Sequence, residues 1–376
     1  MGLTERLARA AVRRPHVLLV PVPGQRPLRW AAEDALDELG WARAASPAEA
    51  DVLLCCGDPG RDLAEHVEVA WEGMPGPRAR VSAATVSDVE PALRAAVREL
   101  ADVSKQRQDA QTRGAARLSS ADRGDVAEEA HDGSTGDATH PDGASTDAPG
   151  MDHDMSTTGE TAGMDHDMEM SGGATGGTDH SMDMDMGMGM DLPGGLVMAD
   201  RVEDRDGLRL EGLNLSLGPL LPSWPAGLRL DVLLSGDVLT RADVVRLDPR
   251  PEPPAPPALL ALDALALLLE AAGWSDGALR ARRARAAGGS GPATEDLLRR
   301  LRRARLLRWS LRGLPAPGGG DLVAHLDLLV AAVRDEPGLP AADDAQLAAD
   351  VVGLDVGPAA LVLAAHAPLL QVPAHA

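Results

Sequence analysis

The sequence has no Phe and no Tyr among its 376 residues, and its only aromatic side chains of this class are six Trp. Aromatic side chains normally supply much of the large buried area of a protein core, so this core must be built from aliphatic residues. Platforms that stack single-stranded nucleic acid and cages that bind quaternary ammonium groups both need several aromatic rings. The composition argues against both functions.

Cysteine is almost absent as well. Cys55 and Cys56 are the only two, and they are adjacent at the end of an apolar run, ADVLLCCG. Successive residues of a strand point to opposite faces, so these two thiols cannot readily bind one ion together. Without a C-x-x-C pair, no cysteine-only iron–sulfur or zinc site can be assembled from this chain alone. The sparse cysteines fit a reducing, cytoplasmic compartment.

Long uninterrupted apolar runs are also missing. Residues 258–272 are the most apolar stretch, but Asp263 and Glu270 interrupt it. The N-terminal residues lack the apolar core of a secretory signal. Since roughly 20 apolar residues are needed to cross a bilayer, we expect a protein with no transmembrane segment of its own.

The formal net charge is −22, and most of it lies in one region, because residues 101–200 hold 21 acidic and 5 basic side chains. This acidic balance argues against nucleic acid as a partner of the whole molecule. One segment has the opposite sign: residues 280–312 contain 11 Arg and 2 acidic residues. It fits docking onto an acidic partner, an anionic membrane surface or RNA. The alternative is a solvated helix face, which the acidic region of the chain could cover.

The pattern over residues 1–103 predicts an α/β domain. Short apolar runs ended by Pro or Gly alternate with amphipathic segments, which favours a parallel, flavodoxin-like sheet covered by helices. The predicted helices are 28–40, 61–72 and 88–103. Residues 104–192 are rich in Gly, Asp, Thr, Ser and Met and have hardly any branched apolar residue, so they predict a disordered linker.

The remainder predicts an α+β arrangement, a small β-domain followed by a helical segment. Residues 193–248 show partial alternation and a hairpin that turns at Ser235, Gly236 and Asp237. Residues 249–376 begin with a Pro-rich spacer and continue with predicted helices at 258–273, 294–312 and 321–334. His325 lies on the apolar face of the last of these and is predicted to be a core residue. Motifs of the G-x-S-x-G, P-loop, H-E-x-x-H and G-x-G-x-x-G types do not occur, so no catalytic or cofactor-binding residue is predicted.

The acidic region carries a repeated Met-Asp-His-Asp-Met unit, and ten of the 13 Met fall between residues 151 and 190. Thioether and imidazole together suit Cu(I), whereas imidazole with carboxylate suits Cu(II) and other divalent ions. The alternative interpretation is a low-complexity acidic spacer that binds no metal. The predicted metal ligands are Met151, His153, Met155, Met164, His166, Met168, His180 and Met182.

Two segments resemble known families. The first is ADVLLCCGDPGRDLAEHVEVAWEGMPGPRARVSAA, within residues 15–100. It resembles the small, B-type subunit of NADH–quinone oxidoreductase (complex I) and the small subunit of nickel–iron hydrogenases. The most specific part is the turn Met74-Pro75-Gly76-Pro77.

The second segment is LGPLLPSWPAGLRLDVLLSGDVLTRADVVRL, which is similar to the opening β-domain of the large, D-type subunit. The matching residues are Gly218, Pro219, Pro222, Gly227, Leu228, Arg229 and Leu230. The chain thus resembles a small-subunit-like domain fused to a shortened large-subunit-like domain.

The departures from these families concern their redox residues. The resemblance implies cluster-binding cysteines in the loop after the first strand and in later loops, but here these loops read Pro21–Gln25 and Thr85–Ser87. The large subunit has a His near the quinone head group, where this chain has Leu221. Cys55 and Cys56 fall where the family has ordinary apolar residues. No 4Fe-4S ligand and no quinone ligand is therefore carried over.

The resemblance leads to three hypotheses. The first is an accessory or structural component, lacking its own redox centre, of a quinone-linked oxidoreductase assembly; it would lie in the cytoplasm, peripheral at the inner face of the membrane, with other subunits of that complex as partners. The second is a copper- or other metal-binding protein that uses the Met/His/Asp region. The third is a genuine oxidoreductase subunit whose cluster ligands come from a partner chain, so the sequence leaves open whether the protein is an enzyme.

Overall fold

A computed structural model describes residues 14–115, 201–203, 209–335 and 339–370. Residues 14–115 are called the N-terminal half below, and the described residues from 201 to 370 the C-terminal half. No helix in the described ranges is long and apolar enough to cross a membrane.

The N-terminal half contains a four-stranded sheet in which every pairing is parallel. Its strands, in the spatial order β2-β1-β3-β4, are β1 His16–Pro21, β2 Ala42–Arg43, β3 Val52–Cys56 and β4 Ala79–Ala83. Its helices are α1 Arg26–Leu39, α2 Arg61–Gly73 and α3 Val89–Leu100. The alternation of apolar runs and amphipathic segments therefore predicted this α/β arrangement correctly.

Helices cover both faces of this sheet. Leu28 and Leu36 of α1 and Leu93 of α3 pack on one face, and Leu63 and Val67 of α2 pack on the other. All five residues of β3 are buried, because this strand lies between two others and is covered from both sides. A strand buried on both faces reads as a continuous apolar run, as VLLCC does.

The beginning of the predicted linker is helical. The sequence favours disorder from residue 104, but a helix, α4, occupies residues 103–115. Asp102 caps it by accepting the backbone N–H of Ser104 and of Lys105. Gln106 and Asp109 on its first turns both bond to Arg78. These long-range contacts, which composition does not report, order the segment; residues 116–192 lie outside the described ranges.

The C-terminal half begins with an antiparallel sheet. Its strands, in the order β5-β6-β7-β8, are β5 Arg201–Glu203, β6 Arg209–Leu217, β7 Leu228–Ser235 and β8 Val238–Arg246. The predicted hairpin is confirmed: Ser235 pairs with Val238 across the turn, where Gly236 has a φ of 62°. Alternate residues of β7 are buried, as expected for a strand with one face on a core.

Seven helices follow in the described part of this half. They are α5 Pro257–Ala271, α6 Ser275–Ala286, α7 Pro292–Arg303, α8 Arg305–Ser310, α9 Leu322–Asp335, α10 Asp344–Val351 and α11 Val356–His366. Helix α5 is central and is buried almost continuously from Ala261 to Leu269. One hydrophobic core joins α5, the surrounding helices and β7 and β8.

The predicted helix 294–312 is two helices in the structure. The chain breaks at Ala304, whose ψ of 71° is not helical. Leu301 and Leu307, which lie on either side of the break, are both buried. The change of direction at Ala304 therefore leaves the apolar residues of both helices on the core.

Candidate functional site

The predicted metal ligands cannot be placed. All eight, from Met151 to Met182, lie outside the described residues. Within the described ranges, no group of three or more His, Cys, Asp or Glu side chains is positioned to hold a metal ion. Copper binding by the Met/His/Asp repeat therefore stays a prediction.

The two cysteines are core residues on opposite sides of the sheet. Cys55 packs with the α2 side and Cys56 with the α1 and α3 side, as the alternation of a strand requires. Burial raises the pKa of both thiols, that of Cys55 to about 11. Both are therefore protonated at neutral pH and act as small apolar side chains.

The most unusual feature of the described residues is a group of buried and partly buried charges between the two halves, which we call the charge cluster. It contains four guanidinium groups and five carboxyl groups. They belong to Arg29, Glu33, Asp34 and Asp37 of α1, Arg43 of β2, Asp263 and Glu270 of α5, and Arg282 and Arg285 of α6.

Helical spacing brings these charges onto facing surfaces. Arg29, Glu33 and Asp37 follow one another at intervals of four residues, so they share one face of α1. Asp263 and Glu270 are seven residues apart, which is close to two helical turns, on one side of the otherwise apolar α5. The two halves therefore meet through three charged helix faces.

The centre of the cluster is a closed ring of two arginines and two carboxylates. Arg29 donates to Asp263 at 2.5 Å and to Glu33 at 2.7 Å. Arg285 donates to the other oxygen of each carboxylate, at 2.8 Å to Asp263 and 2.9 Å to Glu33. Arg285 also lies over the ring of Trp30, 4.9 Å from its centroid. Each carboxylate of the ring thus bridges an arginine from each half.

The outer part of the cluster extends the pairing toward solvent. Arg282 donates to both oxygens of Asp37, at 2.6 and 3.1 Å, and to Glu270 at 3.0 Å. Arg43 donates to the same Glu270 oxygen at 2.7 Å. A bidentate arginine–carboxylate pair fixes orientation as well as distance. These bonds therefore define the angle at which α6 lies on α1.

Glu33 and Arg285 of the ring are charged at neutral pH. Burial alone would raise the pKa of Glu33, but Arg29 and Arg285 outweigh that effect and hold it at about 2. Burial likewise opposes the charge of Arg285, and the surrounding carboxylates raise its pKa in spite of this. Removing one member of such a ring leaves the others buried and uncompensated, which is strongly unfavourable. The cluster therefore specifies one mutual arrangement of the halves.

The C-terminal half also caps two helices of the N-terminal half. Glu252 accepts the backbone N–H of Gly24 and of Arg26, both at 3.0 Å, at the start of α1. Asp248 accepts the N–H of Leu63 at 2.8 Å, at the start of α2. The residues that precede these helices in the chain provide no side-chain cap of their own. Carboxylates at helix N-termini are favourable, so these contacts add to the docking of the halves.

A cavity of about 160 Å³ lies beside the cluster. The loop between β6 and β7 supplies Leu220, Leu221 and Ser223 to its wall, and Pro21 and Ala44 line the opposite side. The hydroxyl of Ser223 is buried and has no hydrogen-bond partner in the described part of the chain. The charged groups that border the cavity bond to one another, so the remaining wall suits a small, mainly apolar molecule with one hydrogen-bonding group.

The arginines of residues 280–312 divide into several sets. Arg282 and Arg285 belong to the charge cluster and are buried. They are therefore part of neither a solvated helix face nor an external docking surface. Asp296 pairs with Arg280, Arg299 and Arg300, and Asp327 pairs with Arg308. The arginines for which the described ranges supply no ion-pair partner are Arg283, Arg302, Arg303, Arg305 and Arg312.

The sequence reasoning did not identify the charge cluster, although the helical spacing of its charges on α1 and α5 was a usable signal. The predicted core position of His325 is confirmed, with 3% of the residue exposed. Comparisons of the chain with protein-family models, with curated proteins and with solved structures find no match.

Proposed function

We propose that this protein is an accessory, structural component of a quinone-linked oxidoreductase assembly of the complex I or hydrogenase type. In this role, one chain presents a small-subunit-like domain and a large-subunit-like domain already docked on each other. It binds other subunits at the cytoplasmic face of the membrane and carries no redox centre of its own. The charge cluster is the observation that carries the proposal.

The segments that resemble the two subunit families are the ones that meet. Gly227, in the large-subunit-like segment, approaches Pro23 so closely that a Cβ atom on Gly227 would lie 2.5 Å from the proline ring. Leu220 of the same segment packs on the core of the N-terminal half. Buried charges that are costly to separate hold these two types of domain together, which supports a structural role.

Leu221 supports the non-catalytic part of the proposal. The resemblance implies a quinone-contacting His at this position, and the side chain present here is apolar and borders the cavity. An apolar side chain can pack against a partner or a small molecule but cannot donate a hydrogen bond to a quinone oxygen. At position 221, the wall of the cavity is therefore suited to packing.

The test is affinity purification of the tagged full chain from gently solubilised membranes of its own source, followed by quantitative mass spectrometry. The expected result is enrichment of quinone-linked oxidoreductase subunits. The double variant Glu33→Ala with Arg285→Ala opens the charge cluster and should lose this enrichment. The matched control is Glu90→Ala with Arg94→Ala, which removes an exposed ion pair on α3 and should retain it. Recovery of no such subunits with the wild-type chain would reject the proposal.

A second function, copper binding, is favoured by a specific feature of the sequence, the repeated Met-Asp-His-Asp-Met unit. Thioether and imidazole ligands together suit Cu(I). The test is anaerobic Cu(I) titration of the full chain against a variant in which all eight predicted ligands are replaced: Met151, Met155, Met164, Met168 and Met182 become Leu, and His153, His166 and His180 become Ala. Equal affinities of the two proteins would rule this function out.

A further inference from the structure

We propose that the surface around α8 binds an anionic lipid bilayer. Two large apolar side chains stand out from this short helix: Leu306 is 77% exposed and Trp309 is 69% exposed. They are three residues apart and therefore share one side of the helix. Leu307 is the only buried residue of α8, so the helix is held from beneath and presents its apolar pair outward.

Arginines without an ion-pair partner in the described ranges flank this apolar pair in the sequence. Arg302, Arg303, Arg305 and Arg312 are exposed, and the described ranges provide no carboxylate partner for any of them. Other arginines of the same helices do have a carboxylate partner: Arg299 and Arg300 bond to Asp296, and Arg308 bonds to Asp327. The structure neutralises the arginines near acidic residues and leaves the four around Leu306 and Trp309 available.

The combination of side chains matches the chemistry of a bilayer surface. Trp is enriched at the level of the lipid head groups, where its ring is half in and half out of the apolar region. Arg keeps its guanidinium group at the phosphates while its stem contacts apolar surface. Anionic head groups attract basic clusters of this kind, and Leu and Trp side chains add apolar burial.

The position of Trp309 favours a bilayer over an acidic polypeptide. An open groove of about 1,030 Å³ runs beside α8 and is lined by Trp274, Leu306 and Arg303, among others. A bound peptide would occupy this groove, but Trp309 lies outside its wall. A flat bilayer interface can accept Trp309 and Leu306 together, with the arginines at the head groups. The inference does not depend on the oxidoreductase role.

The experiment is co-sedimentation of the full chain with vesicles of phosphatidylglycerol and phosphatidylcholine, compared with vesicles of phosphatidylcholine alone, at low and high salt. The expected result is binding to the anionic vesicles that weakens as salt rises. The overall charge of −22 would by itself repel the protein from these vesicles, so binding must come from a local surface.

Two variants test the basic and the apolar side chains of this surface separately. The substitution of Arg302, Arg303 and Arg305 by Gln is expected to weaken partitioning about 100-fold, since each basic residue near an anionic surface contributes several-fold. Leu306→Ser with Trp309→Ser is expected to weaken it by at least about 10-fold through lost apolar burial. All five side chains are solvent-facing or partly so, and circular dichroism verifies that each variant is folded.

Matched controls exist elsewhere on the chain. Arg61, Arg94 and Arg241 are exposed arginines whose substitution by Gln changes the net charge equally, and Val69, which is 71% exposed on α2, controls for Leu306. These controls should bind as the wild type does. The proposal is overturned if the wild type does not bind anionic vesicles, or if the controls weaken binding as much as the α8 variants do. It is equally overturned if the protein binds polyglutamate but no vesicles, which would identify an acidic polypeptide partner.

Discussion

Arg285 and Glu33 are 252 residues apart in the sequence, and the Nη1 of Arg285 donates to the Oε2 of Glu33 at 2.9 Å in a site that solvent scarcely reaches. This bond joins α6 of the C-terminal half to α1 of the N-terminal half. Glu33 also accepts from Arg29 of its own half, and Arg285 also donates to Asp263 of its own half. The Arg285–Glu33 bond therefore closes the central ring of the charge cluster.

Breaking this pair should destabilise the protein strongly. Arg285→Met takes away an arginine that donates to both Glu33 and Asp263 and leaves these buried carboxyl groups with one partner fewer, and we expect a loss of about 3–5 kcal/mol of unfolding free energy. Urea denaturation measures this loss. Arg94→Gln, which breaks an exposed pair with Glu90, should cost about 0.5 kcal/mol or less. A cost for Arg285→Met no larger than that of Arg94→Gln would contradict the assigned role of the ring.

Glu33 should make stability depend on acidic pH. Its pKa is about 2 in the folded protein and 4.5 in the absence of these neighbours, so the unfolded chain binds the proton more tightly. The stabilisation is present above pH 4.5 and is lost as the pH falls toward 2, by about 3 kcal/mol in all. The measurement is the difference in unfolding free energy between the wild type and Glu33→Gln as a function of pH. A difference that stays constant through this window would disprove the shift.

The buried histidines His325 and His366 should make stability depend on pH in a higher range than Glu33 does. Burial lowers the pKa of both His325 and His366 to about 4 from 6.5, so protonation favours the unfolded chain. Their stabilising contribution is complete above pH 6.5 and is lost progressively between pH 6.5 and 4. Neither ring nitrogen of His325 has a partner among the described residues. His325→Leu should therefore make the midpoint of thermal unfolding depend less steeply on pH in this window. An unchanged dependence on pH would contradict the lowered pKa of His325.

Gly227 should be required for close contact between the halves. Its φ is 63°, and a Cβ atom there would lie 2.5 Å from Pro23 and 2.7 Å from the carbonyl oxygen of Leu247. Gly227→Ala should lower the free energy of unfolding by more than the backbone strain of a positive φ would lower it alone. Gly40→Ala is the matched control, because Gly40 has a similar φ of 65° and nothing within 4 Å of the added atom. Its cost should be about 1 kcal/mol, and an equal cost for both variants would show that the approach of Pro23 is unimportant.

Local patterns in the sequence predicted much of the fold. The apolar runs of β1 and β3, the amphipathic α1 and α2 and the hairpin at Gly236 each follow from spacing within a short window. The ordered helix α4 did not, because Asp109 is held by Arg78, 31 residues earlier. The break at Ala304 was missed because the apolar residues on both sides of it, Leu301 and Leu307 among them, also fit one stripe of a continuous helix.

The charge cluster could be anticipated only in part. Asp263 and Glu270 were recognised as interruptions of an apolar helix, and their spacing of seven residues already placed them on one side of it. Nothing local indicates that Arg29 and Arg285 are their neighbours, because pairing across the two halves depends on how the domains dock. Many arginines in this chain could have paired with the same carboxylates, and tertiary packing selects among them.

Photo-cross-linking from the cavity wall tests the accessory role most directly. Amine-reactive reagents are of little use, because Lys105 is the only lysine. A photo-reactive amino acid in place of Leu221, which is 42% exposed, reports what lies against the large-subunit-like segment in the cell, and the same amino acid at Val69 serves as the control. An accessory component should cross-link from position 221, and not from position 69, to subunits of a quinone-linked oxidoreductase. Cross-links from position 221 only to unrelated proteins, or the same products from both positions, would contradict that role.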